Sequence, residues 1–243
     1  MRLANIARAA SLLVVFAAAG NACAGTFSVT PVRIFADPRD RAVAITVTNE
    51  GDQELVMQAD LFSWSQRANG EDNLVPTEDL VLSPPILKLP PKARQVVRLA
   101  LVGAPKSERQ LTYRMIAREV PEVKSQENVQ LQIALAFSIP VFITPPKAKA
   151  DLGCTIRRAA PDAVNIECEN RGNAYAMPRD FALNTPTGQR VAGRDNGGYL
   201  LPGTKRAFEV KAAVGGTIAP GQYRLLVGLD DGSTKSFDVP LPE

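Results

Sequence analysis

The chain has 243 residues, with 28 basic and 25 acidic side chains and no histidine. Lack of histidine excludes Ser-His-Asp and Cys-His nucleophile systems and most zinc sites. The formal charge is +3, and Arg2 and Arg8 belong to a leader, so the rest is close to neutral and gives no support to nucleic acid or an anionic membrane as partner.

Residues 1–24 read as a cleavable signal peptide. Arg2 and Arg8 form its charged start and Leu12 to Ala19 its apolar run. Ala22-Cys23-Ala24 has the A-x-A form of a cleavage site, which puts the mature start near Gly25. An apolar run of about eight residues is too short to span a bilayer. The rival reading is a lipid-anchored Cys23, against which Gly20 stands where a lipoprotein signal takes an aliphatic residue. Cleavage leaves 219 of the 243 residues. That suits two domains of roughly 100 residues each.

Beyond the leader, apolar alternation recurs in short runs parted by turn residues, with no convincing helix. Phe27 to Phe35 is the first expected strand and Ala42 to Thr48 the second, with Val43, Ile45 and Val47 on one face. Leu55 to Trp64 follows the turn Asn49-Glu50-Gly51-Asp52 and ends before Asn69-Gly70-Glu71-Asp72. Val81 to Ile86 is a kinked edge piece broken by Pro84 and Pro85. Arg94 to Val102 and Leu111 to Glu119 come next.

The run Val129 to Ile143 alternates large apolar residues with mostly small or polar ones. It is roughly twice the typical strand of about 5–6 residues, so part of it is expected to overhang its neighbours. A long apolar edge strand aggregates unless something covers it, which suggests a strand built to be donated to another protein. The bland reading is an ordinary core strand, expected to hold from Phe137 or Ile139 onward. Seven strands with short turns match an immunoglobulin-like sandwich.

Thr144 to Lys149 is expected to be a stiff proline-bearing linker. After it the strand pattern restarts at Cys154–Arg158, Val164–Glu169, Phe181–Leu183, Lys205–Val210, Tyr223–Leu229 and Ser236–Val239. The reading is therefore all-β, with two immunoglobulin-like sandwiches: an N-terminal domain over 25–146 and a C-terminal one over 147–243. Cys154 and Cys168 remain after leader removal, and in an exported protein a pair implies a disulfide, here joining the first two strands of the second domain. Two free thiols are the alternative.

Several segments in the same order resemble the PapD-like periplasmic pilus-assembly chaperones of the chaperone–usher pathway. They are Pro31-Val32-Arg33-Ile34-Phe35; Ser83-Pro84-Pro85-Ile86 with Leu89-Pro90-Pro91-Lys92 and Val96-Val97-Arg98-Leu99; Tyr113 to Pro121; and Asn128 to Leu135. The resemblance covers nearly all of the mature chain in layout and is specific in the N-terminal domain. The Pro-Val-Phe run and the Tyr-Arg pair resemble the archaic branch.

The resemblance implies a boomerang of two sandwiches in the periplasm, with no cofactor and no reaction. It implies donor-strand complementation, with Val129, Leu131, Ile133 and Leu135 entering the open groove of a pilin subunit, which an outer-membrane usher then receives. In well-known members two basic residues grip the subunit's C-terminal carboxylate. Arg33 matches the first. The second, a lysine, falls on Pro140, and Arg114 on the adjacent strand is the candidate substitute. Thr144 stands where the family's interdomain arginine is expected, so its ion pair with Glu119 should be missing. A self-capping dimer through the donor strands is one way in which the free protein could cover its edge.

Without the resemblance, Arg33 and Arg114 read as solvated surface arginines, and Trp64 and Phe62 as core or sheet-surface residues. Glu50 to Asp52, Glu71-Asp72 and Asp230-Asp231 lie in turns without EF-hand spacing. The rivals are a two-domain β-sandwich envelope structural or adhesion protein that donates no strand, and an exported hydrolase. Neither a small-molecule substrate nor a metal site is expected.

Overall fold

The computed structural model describes residues 27–40, 42–67, 69–103, 107–121, 134–213 and 215–243. Among them there is no helix; the chain is all-β. The first half forms β1 (Phe27–Thr30), β2 (Ile34–Ala36), β3 (Val43–Asn49), β4 (Leu55–Gln66), β5 (Asp72–Pro76), β6 (Leu80–Ser83), β7 (Ile86–Leu89), β8 (Arg94–Leu101), β9 (Leu111–Glu119) and β10 (Ala136–Ile143). One sheet runs β1-β3-β8-β6. The facing sheet runs β2-β10-β9-β4-β5, with β7 beside β4. Their inner faces share one core, which includes Ile45, Val47, Met57, Leu87, Val97 and Met115.

Two expected segments turn out to be divided between the sheets. Phe27 to Phe35 breaks at the cis Thr30–Pro31 bond. Upstream, β1 pairs with β3; downstream, β2 runs parallel to β10. Val81 to Ile86 breaks likewise at the cis Ser83–Pro84 bond, with β6 in one sheet and β7 in the other. Proline has no N–H to give a ladder, so each proline stands where a ladder ends and the chain crosses the sandwich.

In β10 the alternation changes along the strand. Ala136, Phe137 and Ser138 are exposed, whereas Ile139 to Ile143 are buried without a break. Ile139, Val141 and Ile143 enter the first core. Phe142 points the other way, into a cluster with Trp64 and Leu201 that joins the two halves. The expected core stretch is therefore buried on both faces.

The second half forms β11 (Leu152–Ala160), β12 (Ala163–Asn170), β13 (Pro178–Asn184), β14 (Arg190–Asp195), β15 (Lys205–Ala212), β16 (Gly221–Leu229) and β17 (Thr234–Leu241). The pairing order is β11-β12-β15-β14-β13-β16-β17, and β11 touches β17, which folds the ladder around its own core. The stretch expected as a linker is a tight turn instead. The N–H of Ala148 donates to the Pro145 carbonyl at 3.2 Å, and Lys147 takes a positive φ of 67°. Pro146 supplies the fixed φ that precedes such a residue in a type II turn.

Cys154 and Cys168 face each other in the β11–β12 ladder and are bonded at 2.03 Å. The closed loop is short and the hairpin already brings its ends together. Reduction is therefore expected to lower stability measurably, by up to about 3 kcal/mol. Denaturant midpoints with and without reductant check this, and an unchanged midpoint would contradict it.

Candidate interdomain site

The site is built where the crossing between β1 and β2 meets the second domain. Arg33 sits in that crossing, just before β2. Its Nη1 forms an ion pair with Oδ2 of Asp230, in the turn after β16, and donates to the Tyr175 hydroxyl at 3.4 Å. The Tyr175 hydroxyl in turn donates to Asp230 Oδ2 at 3.1 Å. The Arg33 side chain keeps 35% of its surface exposed and Asp230 only 15%. Burial works against the Arg33 charge, but the Asp230 hydrogen bond and the two nearby tyrosines outweigh it, so its pKa is raised. Burial, with the Asp230 charge, pushes the Tyr175 hydroxyl up to about 12. Tyr175 thus stays a proton donor at any physiological pH.

An aromatic stack fixes Tyr175. Its ring lies 4.3 Å from Phe142, and Phe35, half exposed, stacks on Phe142 at 5.4 Å. Trp64 and Tyr199 close the cluster edge to face at 5.2 Å. Such ring pairs add roughly 0.5–1.5 kcal/mol each beyond area burial.

Arg114, on β9, lies directly across from Pro140 in the β9–β10 register. Directly opposed residues share a sheet face. The guanidinium carbon sits 3.8 Å above the Trp64 ring and 5.4 Å from Tyr199. Nη2 reaches Asp72 at 3.4 Å and Nη1 the Ser138 carbonyl at 3.5 Å. Its side chain is only 12% exposed. Burial lowers its pKa, partly offset by Asp72. Tyr199 feels both arginines: burial raises its pKa while the charges of Arg33 and Arg114 oppose the rise. The two arginines therefore act on the same tyrosine.

Of the expected donor residues, Val129, Leu131 and Ile133 lie outside the described residues. Leu135 is partly buried against the first core, and its carbonyl accepts from the Glu119 N–H at 2.9 Å. The Glu119 carboxylate accepts from the Leu135 N–H at 3.5 Å, and Thr144 accepts from Gln110 at 2.8 Å. Two glutamines bridge the halves. Gln110 accepts from the Tyr175 N–H at 2.9 Å, and Gln66 accepts from the Leu201 N–H and donates to the Tyr199 carbonyl, both at 3.0 Å. Tyr175, Tyr199, Asp230, Gln66 and Gln110 escaped the sequence reading. Asp230 was visible only as a turn acid.

Residues 26–149, just over half of the chain, match the model for the pili and flagellar-assembly chaperones, PapD N-terminal domain. The chain belongs to this family. No curated protein matches significantly. Among solved structures, a chain of the CsuC–CsuE chaperone–tip adhesion subunit pre-assembly complex from the archaic chaperone–usher Csu pili of Acinetobacter baumannii gives a TM-score of 0.63 at 19% identity, covering 90% of this chain and 100% of that one. The E. coli chaperone DraB gives 0.58 at 20% identity, covering 90% and 97%. The Pseudomonas aeruginosa CupB2 chaperone gives 0.56 at 16%, covering 88% and 100%. At these identities the likeness concerns the fold, which in PapD-like chaperones is two immunoglobulin-like sandwiches.

Because the folded-state pKa of Tyr175 lies above the ordinary tyrosine value of about 10, its stabilising effect is full below pH 10. It is lost as pH rises toward about 12. Wild type should therefore lose stability relative to Tyr175→Phe across that alkaline window and show no pH-dependent difference below it. Parallel chemical-denaturation series at stepped pH measure this.

Proposed function

We propose that this PapD-family protein is an exported periplasmic chaperone that binds pilin subunits by donating the Val129–Leu135 segment as a strand and passes them to an outer-membrane usher. The observation that carries the reading is the one-sided pairing of β10. Ala136 to Pro140 pair with β9 alone among the described residues, and β2 joins only at Val141. Upstream of Ala136 the sequence keeps the same alternation through Leu135, Ile133, Leu131 and Val129. Chaperone–pilin donor-strand complementation is a known instance of β-strand addition, in which main-chain hydrogen bonds give affinity and alternate side chains fill pockets. Each Leu or Ile buried in a groove is worth roughly 1.5–3 kcal/mol, so a few of them hold a subunit without any chemistry. The function is binding and release, with no catalytic step and no cofactor.

Arg33 and Arg114 are the anchors we assign to the subunit's C-terminal carboxylate. A guanidinium takes a carboxylate through two parallel N–H bonds, so one arginine suffices. Arg114 opposite Pro140 offers a positive charge beside the position where the family's lysine is missing. The edge of β10 that, among the described residues, has no partner over Ala136 to Pro140 also supports a self-capped dimer as the subunit-free state.

Co-production with a pilin subunit, followed by pull-down, tests the reading. Wild type should bring down a one-to-one complex. Ile133→Asp should lose it while keeping the wild-type circular dichroism and melting point. A wild type that captures nothing, or an Ile133→Asp that unfolds, points to a core strand and to the structural envelope protein instead. Arg33→Ala should weaken capture about ten- to a hundredfold, the usual effect of losing a charged hydrogen bond of about 1.5–3 kcal/mol. Arg114→Ala should weaken it too, and in addition lower the free protein's stability by roughly 1 kcal/mol through the lost contact with Trp64.

A further inference from the structure

The second domain supplies two polar groups to Arg33, and the anchor reading alone does not require them. Among the described residues every hydrogen bond of Arg33 is made by Nη1: one to Asp230, one to Tyr175. The guanidinium has five N–H donors in a fixed plane. Nε and the second terminal nitrogen, Nη2, together form one of its bidentate edges. Among the described residues no hydrogen bond is made to that edge, and about a third of the side chain is open to solvent.

We propose that Asp230 and Tyr175 are positioning residues for the carboxylate anchor: they clamp Nη1 of Arg33 from the second domain and leave its Nε–Nη2 edge aimed at the subunit's terminal carboxylate. This rests on the strand-donation reading and deepens it.

Three features favour a clamp over a mere domain latch. The carboxylate of Asp230 is the most buried member of the triad's charged pair, and a hydroxyl bridges it to the same nitrogen it holds. Tyr175 cannot swing, because its ring is stacked on Phe142 at 4.3 Å and its own N–H is bound by Gln110. The domain contact is meanwhile supplied elsewhere, by the Trp64–Phe142–Leu201 cluster and by Gln66. A long arginine side chain that is already fixed loses less rotamer freedom when a ligand arrives. A second carboxylate on the opposite edge stays separated from Asp230 by the width of the guanidinium, with Arg114 as a further positive charge that, like Arg33, acts on Tyr199.

The test uses full-length wild type, Asp230→Asn and Tyr175→Phe. The probes are one pilin subunit in two forms: with its native C-terminal carboxylate, and extended by two glycines so that the carboxylate is moved off the anchor. Asp230→Asn should bind the native form about tenfold more weakly, and Tyr175→Phe about threefold more weakly. Both variants should bind the extended form as wild type does. Equal losses for the two forms would mean that the triad only holds the domains together, and would overturn the proposal. Tighter binding of the native form by Asp230→Asn would also overturn it, since Asp230 would then be a competitor for Arg33. If wild type captures neither form, the pilin-binding reading itself fails. If wild type captures both equally, the carboxylate anchor fails while strand donation stands.

Discussion

The double burial of β10 is the constraint on which the rest of the structure depends. Over Ile139 to Ile143 one strand serves two interiors. Ile139, Val141 and Ile143 complete the first core, and Phe142 anchors the cluster between the halves. A strand packed on both faces cannot slip register, because a one-residue shift would exchange the two sets of side chains. That fixes Pro140 opposite Arg114 and Val141 opposite Ile34, and through β2 it fixes Arg33 one residue upstream. Toward its start the same strand is exposed over Ala136 to Ser138 and, among the described residues, pairs there with β9 alone.

Electrostatics in the cleft follow from that register. Each arginine has a carboxylate and an aromatic wall beside it, yet the two differ. Arg114 lies flat on Trp64 and meets an Asp72 that is itself 42% exposed, so solvent screens the pair and the ring supplies much of the hold. Arg33 meets the better buried Asp230. Its pair is less screened, consistent with a raised pKa in spite of partial burial. Thr144 takes a hydrogen bond from neutral Gln110, and the halves are tied by the amides of Gln110 and Gln66 as well as by the Arg33–Asp230 pair. Amides keep their hydrogen bonds across a wide pH range and add no buried charge.

What was legible in the sequence was whatever rests on local period. β3, β4, β9 and the second-domain strands β12 and β16 carry large apolar residues at every second position, and they lie where the alternation places them. β5 and β14 carry no such signal. β5 is half exposed along its length, and β14 buries a single alanine, Ala192. The two sheet crossings look locally like kinks; only pairing partners reveal them. A local repeat was also hidden by its shortness. Asn49 and Asn170 each end a strand in an Asn-x-Gly corner and accept from the N–H of the glycine two residues on, at 3.0 and 3.1 Å. Each also donates to carbonyls of its own domain.

The candidate site was half legible for the same reason. Arg33 and Arg114 stand out only through their strands and through the family resemblance. Their partners are contributed by topology: Tyr175 and Asp230 are 142 and 197 residues from Arg33. No spacing rule reaches that far.

Exposure then separates the two arginines. Arg114, 12% exposed and covered by Trp64 and Tyr199, offers less open surface than Arg33 does. Arg33 is almost three times as open and is held by one nitrogen. A charged group that is both immobilised and solvent-facing has already met the ordering cost and has met little of the desolvation cost. That combination favours Arg33 over Arg114 as the contact residue of the proposed carboxylate anchor, with Arg114 adding to the local potential.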